Sequence, residues 1–208
     1  MALKVTLFSD FICPFCYIGF QTIQKLKREF DLDIDWRGFQ IHPDWPATGI
    51  PVEKVYGANG SDARKAAWER IASMATEAGL TMRPPSVLTN SHNALAATEY
   101  AIESGKGEEF EQRVYRAYFE EGSNIGDVEV LKKLAADVGL DPAQMIEAIA
   151  SAEVQLKLKH NAIVAHQHGV SGVPTFFIGN YPLVGAQSEA TMRKILTRAA
   201  EMMSATAK

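Results

Sequence analysis

Phe8-Ser9-Asp10-Phe11-Ile12-Cys13-Pro14-Phe15-Cys16-Tyr17-Ile18-Gly19 is the stretch that decides the fold, and both cysteines of the 208-residue chain fall in it. Leu3 to Phe8, just before it, reads as a short buried strand, and after it Ile23, Leu26, Lys27 and Phe30 recur at helical spacing. The cysteines therefore lie at a strand-to-helix junction, with Pro14 in the first turn, where a missing N–H costs nothing. Cysteines three apart at a helix start share a face and come close enough to bridge. Cys13 points at the unsatisfied N–H groups and the positive end of the helix dipole, which stabilise a thiolate. Cys16, one turn in and more buried, suits a resolving thiol that attacks a mixed disulfide at Cys13.

C-x-x-C also opens many zinc sites, but structural zinc asks for a second such pair or a spaced histidine pair. No third cysteine exists, and His166-x-His168 matches a zinc knuckle poorly; the expectation is a redox dithiol and no metal. Apolar residues make up 47% of the chain and charged ones 22%, ordinary values for a globular protein. A net charge of −4 argues against nucleic acid or an anionic membrane as partner. Neither a charged-then-apolar leader nor a bilayer-length apolar run is visible, so the expected location is cytoplasmic. In a reducing compartment a C-x-x-C pair is catalytic more often than structural.

Along the chain, the helix after the cysteines is expected over 14–30 and a second strand over 34–41, giving a βαβ unit with parallel strands. His42-Pro43-Asp44-Trp45-Pro46 ends that strand, and a Pro- and Gly-punctuated loop is expected to about Gly60. From Ser61 the pattern becomes helical: 61–79, 91–104, 107–120, 127–138, 141–150 and 151–167, with Arg83-Pro84-Pro85-Ser86 as a connector. The ending returns to strands, Thr175–Ile178 and Tyr181–Val184 around a Gly179-Asn180 turn, followed by a closing helix from Ser188. Pro182 suits an edge strand.

The order βαβ, helices, ββα predicts an α/β thioredoxin fold interrupted by a large all-helical insertion. Residues 1–60 and 169–208 would form the thioredoxin-like domain, and 61–168 the insertion. Strand one must then lie beside strand three, which brings Val173-Pro174 up to Cys13. Taken alone Pro174 would be a trans turn; next to the dithiol its peptide bond becomes a candidate for cis.

Cys13-Pro14-Phe15-Cys16-Tyr17-Ile18-Gly19, Gly172-Val173-Pro174-Thr175-Phe176 and Gly185-Ala186-Gln187 resemble the DsbA-like thioredoxin family, with the FrnE-type branch most similar. Further similar segments are Trp36 through Pro43, Ala117 through Gly122 and Asp127 through Leu131, so the resemblance spans most of the chain. It implies a thiol–disulfide oxidoreductase or disulfide isomerase with a cis-proline loop facing the active cysteine. Cys13 would be the nucleophile and Cys16 the resolving thiol, with Pro14 and Phe15 tuning the thiolate. Val173 would offer its main chain to an extended substrate or to glutathione, Pro174 would bound the groove, and Thr175 would begin the strand behind it. Phe15 departs from the tryptophan found there in many members.

The implied partners are disulfide-bonded peptides or proteins, or glutathione as co-substrate, with no tightly bound cofactor and a monomer or homodimer as assembly. The competing reading is a glutathione-dependent isomerase or transferase similar to 2-hydroxychromene-2-carboxylate isomerase and the kappa-class glutathione transferases. Those typically carry serine at the first cysteine position, and here both cysteines are present. A binding or chaperone module without redox chemistry would leave the pair unexplained. Asp10 is either a proton-relaying carboxylate near the thiols or a polar end to strand one; ionised, it would raise a neighbouring thiol pKa. His92 reads as a surface or capping residue, Tyr115, Tyr118 and Phe119 as helical core, and Gly57-Ala58-Asn59-Gly60 as a plain loop.

Overall fold

In the computed structural model, described for residues 2–57 and 62–206, the first strand β1 (Leu3–Ser9) buries Leu3, Val5 and Leu7. Helix α1 (Pro14–Leu26) starts from Cys13 in extended conformation, with Pro14 in the first turn, and turns Phe20, Ile23 and Leu26 inward. It ends four residues before Phe30, and strand β2 (Leu32–Gly38) begins and ends earlier than 34–41. The physical reason lies at its far end. Phe39 N–H still reaches Ser9 O at 2.8 Å, but Ile41 N–H turns to the Asp10 carboxylate, also at 2.8 Å, so the chain leaves the ladder.

The 42–60 segment, expected to be loop, holds a two-residue strand β3 (Ile50–Pro51) and a short helix α2 (Val52–Tyr56). Its Ala58, Asn59 and Gly60 lie outside the described residues. Helix α3 (Asp62–Glu77) follows, then β4 (Val87–Leu88), an antiparallel partner of β3. The segment expected to be wholly helical therefore contains one strand, too short to show any periodicity in sequence. Helices α4 (His92–Glu103), α5 (Gly107–Phe119), α6 (Val128–Asp137), α7 (Pro142–Ala150) and α8 (Ala152–Gln167) complete the helical portion. Asp127, Asp141 and Ser151 cap the last three with side-chain oxygens on first-turn N–H groups.

Strands β5 (Thr175–Ile178) and β6 (Tyr181–Val184) occupy the expected spans, joined by Gly179-Asn180 with Gly179 at a φ of +59°. Helix α9 (Glu189–Thr206) closes the chain. The main sheet runs β2-β1-β5-β6, with β1 parallel to β2 and antiparallel to β5. Strand one thus does lie beside β5, and Pro182 does sit on an edge. The architecture is the expected α/β thioredoxin fold with a helical portion between its halves.

α5 ties that portion to the sheet. Phe110, Val114, Tyr115, Tyr118 and Phe119 are all buried, as expected of core. Tyr115 stacks on Tyr17 of α1, with ring centroids 5.0 Å apart and planes 6° from parallel. Gly19, on the other side of α1, lets the helix approach β5: a Cβ there would stand 3.0 Å from Phe176 Cζ and 3.3 Å from Pro174 Cγ.

Candidate active site

The dithiol and the residues that flank and face it come from the end of β1, the first turn of α1 and the loop before β5. Cys13 is 7% exposed and Cys16 fully buried, and both are free thiols. The N-cap geometry of Cys13 (φ −90°, ψ 115°) leaves first-turn N–H groups open toward its sulfur. Cys13 is held below the ordinary thiol range, first by a hydrogen bond with the Cys16 side chain, with the N–H groups of Cys16 and Phe15 adding to it. Burial and the Asp10 charge oppose that. Cys16 is pushed well up, chiefly by burial and then by its hydrogen bond with Cys13 and the charge there. One proton shared by two sulfurs thus leaves the outer sulfur as the thiolate.

The β5 loop faces this pair. Val173–Pro174 is a cis peptide bond, and Cys13 Sγ lies 3.5 Å from Val173 O. In the thiol form Cys13 donates to that carbonyl; ionisation forfeits the contact. Val173 is half-buried and Pro174 buried. Pro14 and Phe15 are half-buried beside Cys13, at the start of α1. Thr175 turns away from the groove: it is buried, its hydroxyl donates to Gly172 O at 2.7 Å, and it pairs with Phe8 in the ladder. Sequence reasoning thus named residues that meet in space from two segments far apart in the chain.

Asp10 follows β1 directly as a buried polar end, and its charge opposes ionisation of Cys13. Its carboxyl is fully buried at the end of β1 and accepts from Ile41 N–H at 2.8 Å and Ile12 N–H at 3.4 Å. Its own N–H points at Cys16 Sγ, 3.5 Å away. Burial raises its pKa from 3.8 to about 6, against the lowering effect of those N–H donors and the Ser91 hydroxyl. His92 stands at the start of α4, where its N–H binds Asn90 Oδ1 at 2.8 Å and its ring meets Gln155 Oε1 at 3.0 Å. His168 packs on Phe177. Among the described residues no three histidine, cysteine or acidic side chains come together as a metal site.

Two residues escaped the sequence reading. Ser9 counters the rise that burial gives the Cys16 pKa, and Ser9 Oγ lies 2.6 Å from the hydroxyl of Tyr115. Ser9 had a faint signal, a polar residue ending a buried strand; Tyr115 had none beyond its helical spacing.

The model of the DSBA-like thioredoxin domain matches residues 4–197. The chain belongs to the DsbA-like thioredoxin family. The uncharacterized protein YwbO of Bacillus subtilis is 29% identical over 95% of this chain and 97% of its own. A 2-hydroxychromene-2-carboxylate isomerase of Sphingobium xenophagum is 26% identical over 86% and 90%. Among solved structures, a probable DsbA oxidoreductase from Streptomyces coelicolor superimposes with a TM-score of 0.86 at 25% identity, covering 96% and 90%. The cytosolic disulfide reductase DsbM of Pseudomonas aeruginosa, solved with glutathione, shares the fold at a TM-score of 0.70 and 19% identity, over 99% and 100%. No helix among the described residues is long and apolar enough to cross a membrane.

Proposed function

We propose that this protein is a thiol–disulfide oxidoreductase that works through the Cys13-Pro14-Phe15-Cys16 dithiol. The observation that carries the reading is the asymmetry of the two sulfurs: one nearly surfaced, lowered in pKa and beside Val173 O, the other buried and raised. The Cys13 thiolate attacks a substrate disulfide, whose S–S bond breaks; one half leaves as thiolate and the other stays on Cys13. Cys16, losing its proton, then attacks Cys13 Sγ, forms the internal disulfide and expels the second thiolate. Two electrons pass to the substrate, and two glutathione thiols restore the dithiol.

Val173 presents its main chain, and Pro174 with Phe15 walls the groove, for an extended peptide or for glutathione. Thr175 holds the loop from behind. Glutathione as co-substrate is supported by its presence in the DsbM structure of the same fold. A cytoplasmic, reducing location keeps the pair reduced, so reductase or isomerase work is favoured over net oxidation.

The test is exchange with a disulfide-bonded protein in a glutathione buffer. Cys13→Ser abolishes turnover, while Cys16→Ser accumulates a mixed disulfide on Cys13. The isomerase likeness favours a second reading, in which bound glutathione supplies the thiol. No turnover by the wild type, together with tight glutathione binding indifferent to Cys16→Ser, would overturn the first reading in its favour.

A further inference from the structure

Asp10 sits between β1 and α1, 0% exposed, and each of its polar groups has a partner at the site. Its carbonyl accepts from Cys13 N–H at 3.2 Å, which closes the turn into α1. Its carboxyl accepts from two main-chain donors, Oδ1 from Ile12 N–H at 3.4 Å and Oδ2 from Ile41 N–H at 2.8 Å. Those bonds fasten the turn to itself and to the chain that leaves β2. The remaining group, Asp10 N–H, donates to Cys16 Sγ at 3.5 Å, the one main-chain donor on that sulfur among the described residues. Asp10 lies one residue beyond the β1 ladder, whose last pair is Ser9 with Gly38. The aim of its N–H is therefore set by the carbonyl and carboxyl bonds rather than by the sheet.

We propose that Asp10 is a positioning residue for the dithiol: its buried carboxyl holds the turn so that its own N–H stays aimed at Cys16 Sγ, where it stabilises the thiolate as attacking and leaving group. This rests on the dithiol reading above. Cys16 is negatively charged at two moments: when it attacks the mixed disulfide on Cys13, and when an incoming thiol at Cys13 expels it from the internal disulfide. Its sulfur is buried, so a fixed dipole does there what solvent does for an exposed thiolate. A donor to an ionised acceptor is roughly twice as strong as one to a neutral acceptor, so the contact favours the charged states. It also weakens steeply as the N–H swings off line, which is why the anchor matters. Both carboxyl oxygens are taken by main-chain N–H groups; the side chain steadies the turn, and the backbone touches the thiol.

The experiment is stopped-flow reaction of the reduced protein with 5,5′-dithiobis(2-nitrobenzoate) near neutral pH, followed by release of thionitrobenzoate, for Asp10→Asn and Asp10→Ala. Both variants remove the same charge, so the comparison between them reads the anchor alone. Asn keeps an oxygen for Ile41 N–H, and Ala keeps none. In the first phase the Cys13 thiolate attacks the reagent, displaces one thionitrobenzoate and keeps the other as a mixed disulfide. In the second, Cys16 loses its proton to solvent, attacks Cys13 Sγ and displaces the remaining one. The first phase runs at one rate in the two variants, and the second is about three- to fourfold slower in Asp10→Ala than in Asp10→Asn. That figure takes a tenfold smaller thiolate fraction, partly offset by the greater nucleophilicity of a more basic thiolate, with a Brønsted slope of about 0.4–0.5.

A second phase equal in the two variants, or both phases slowed in the same proportion, overturns the proposal. Should Asp10→Ala not fold, judged by near-ultraviolet dichroism, Asp10→Ser carries the same prediction, because its oxygen stops one bond short of the carboxylate oxygens. A wild-type protein that releases only one thionitrobenzoate per chain refutes the dithiol reading itself, and the proposal falls with it.

Discussion

Replacing Asp10 by Asn should change how stability depends on pH, and the size of that change follows from the burial of one carboxyl. Asp10 is raised from an ordinary 3.8 to about 6. The folded protein therefore holds a proton that the unfolded chain releases, and the carboxyl favours folding most below pH 3.8. That advantage is lost as pH rises from 3.8 through 6. At 1.36 kcal/mol per pH unit the loss by pH 7 is about 3 kcal/mol. Asn carries no such slope. It does bring a fixed cost, because an amide oxygen turned to Ile41 N–H leaves its NH2 group facing Ile12 N–H. That mismatch is worth about 1–3 kcal/mol at every pH.

Urea unfolding of the reduced wild type and of Asp10→Asn at pH 4, 5, 6 and 7 separates the two effects. At pH 4 the variant is the less stable. By pH 7 the difference has moved by about 2.4 kcal/mol in its favour, the first part of the ~3 kcal/mol having already been lost by pH 4, so the two proteins are comparable or the variant leads. A wild-type-minus-variant difference that stays constant between pH 4 and 7 refutes the reasoning, whatever its absolute value.

Two other substitutions probe the frame around the site. Gly19→Ala puts a methyl 3.0 Å from Phe176 and 3.3 Å from Pro174. Crowding of about 1–3 kcal/mol outweighs the ~1 kcal/mol that alanine gains in a helix, so a lower Tm is expected in thermal unfolding. Glu111 is buried in α5 with its pKa pushed well up by desolvation, so it takes up a proton on folding. Its contribution to stability falls as pH rises above the ordinary glutamate range, and Glu111→Leu should raise the urea midpoint at pH 8 more than at pH 4.

The dithiol junction was legible because it is local: strand periodicity, Pro14 and the helical repeat all fall within one short stretch. Thr175–Ile178 and Tyr181–Val184 were equally plain, since the Gly179-Asn180 turn fixes the hairpin from inside. What escaped depends on partners distant in sequence. β2 stops at Gly38 because a carboxylate 31 residues upstream takes the Ile41 N–H, and nothing in 34–41 announces it. β3 and β4 are two residues each and exist through each other. Tyr115 reads as core because it is core; only the fold reveals that its hydroxyl ends beside Ser9.

The pairing of β1 with β5 has a bearing on how the protein is born. Cys13 and Val173 meet across 160 residues, and one flank of β1 has no partner until Thr175–Ile178 have been synthesised. A growing chain therefore carries its reactive thiol first and the loop that faces it near the end, after the whole helical portion has emerged. Closing so long a loop is entropically slow, and the sheet edge stays bare meanwhile. During that interval Cys13 is an unguarded thiol, open to capture by small disulfides in the surrounding medium. Early capture is not wasted if Cys16 is already at hand one turn away: the adjacent thiol can expel the adduct before the sheet has closed.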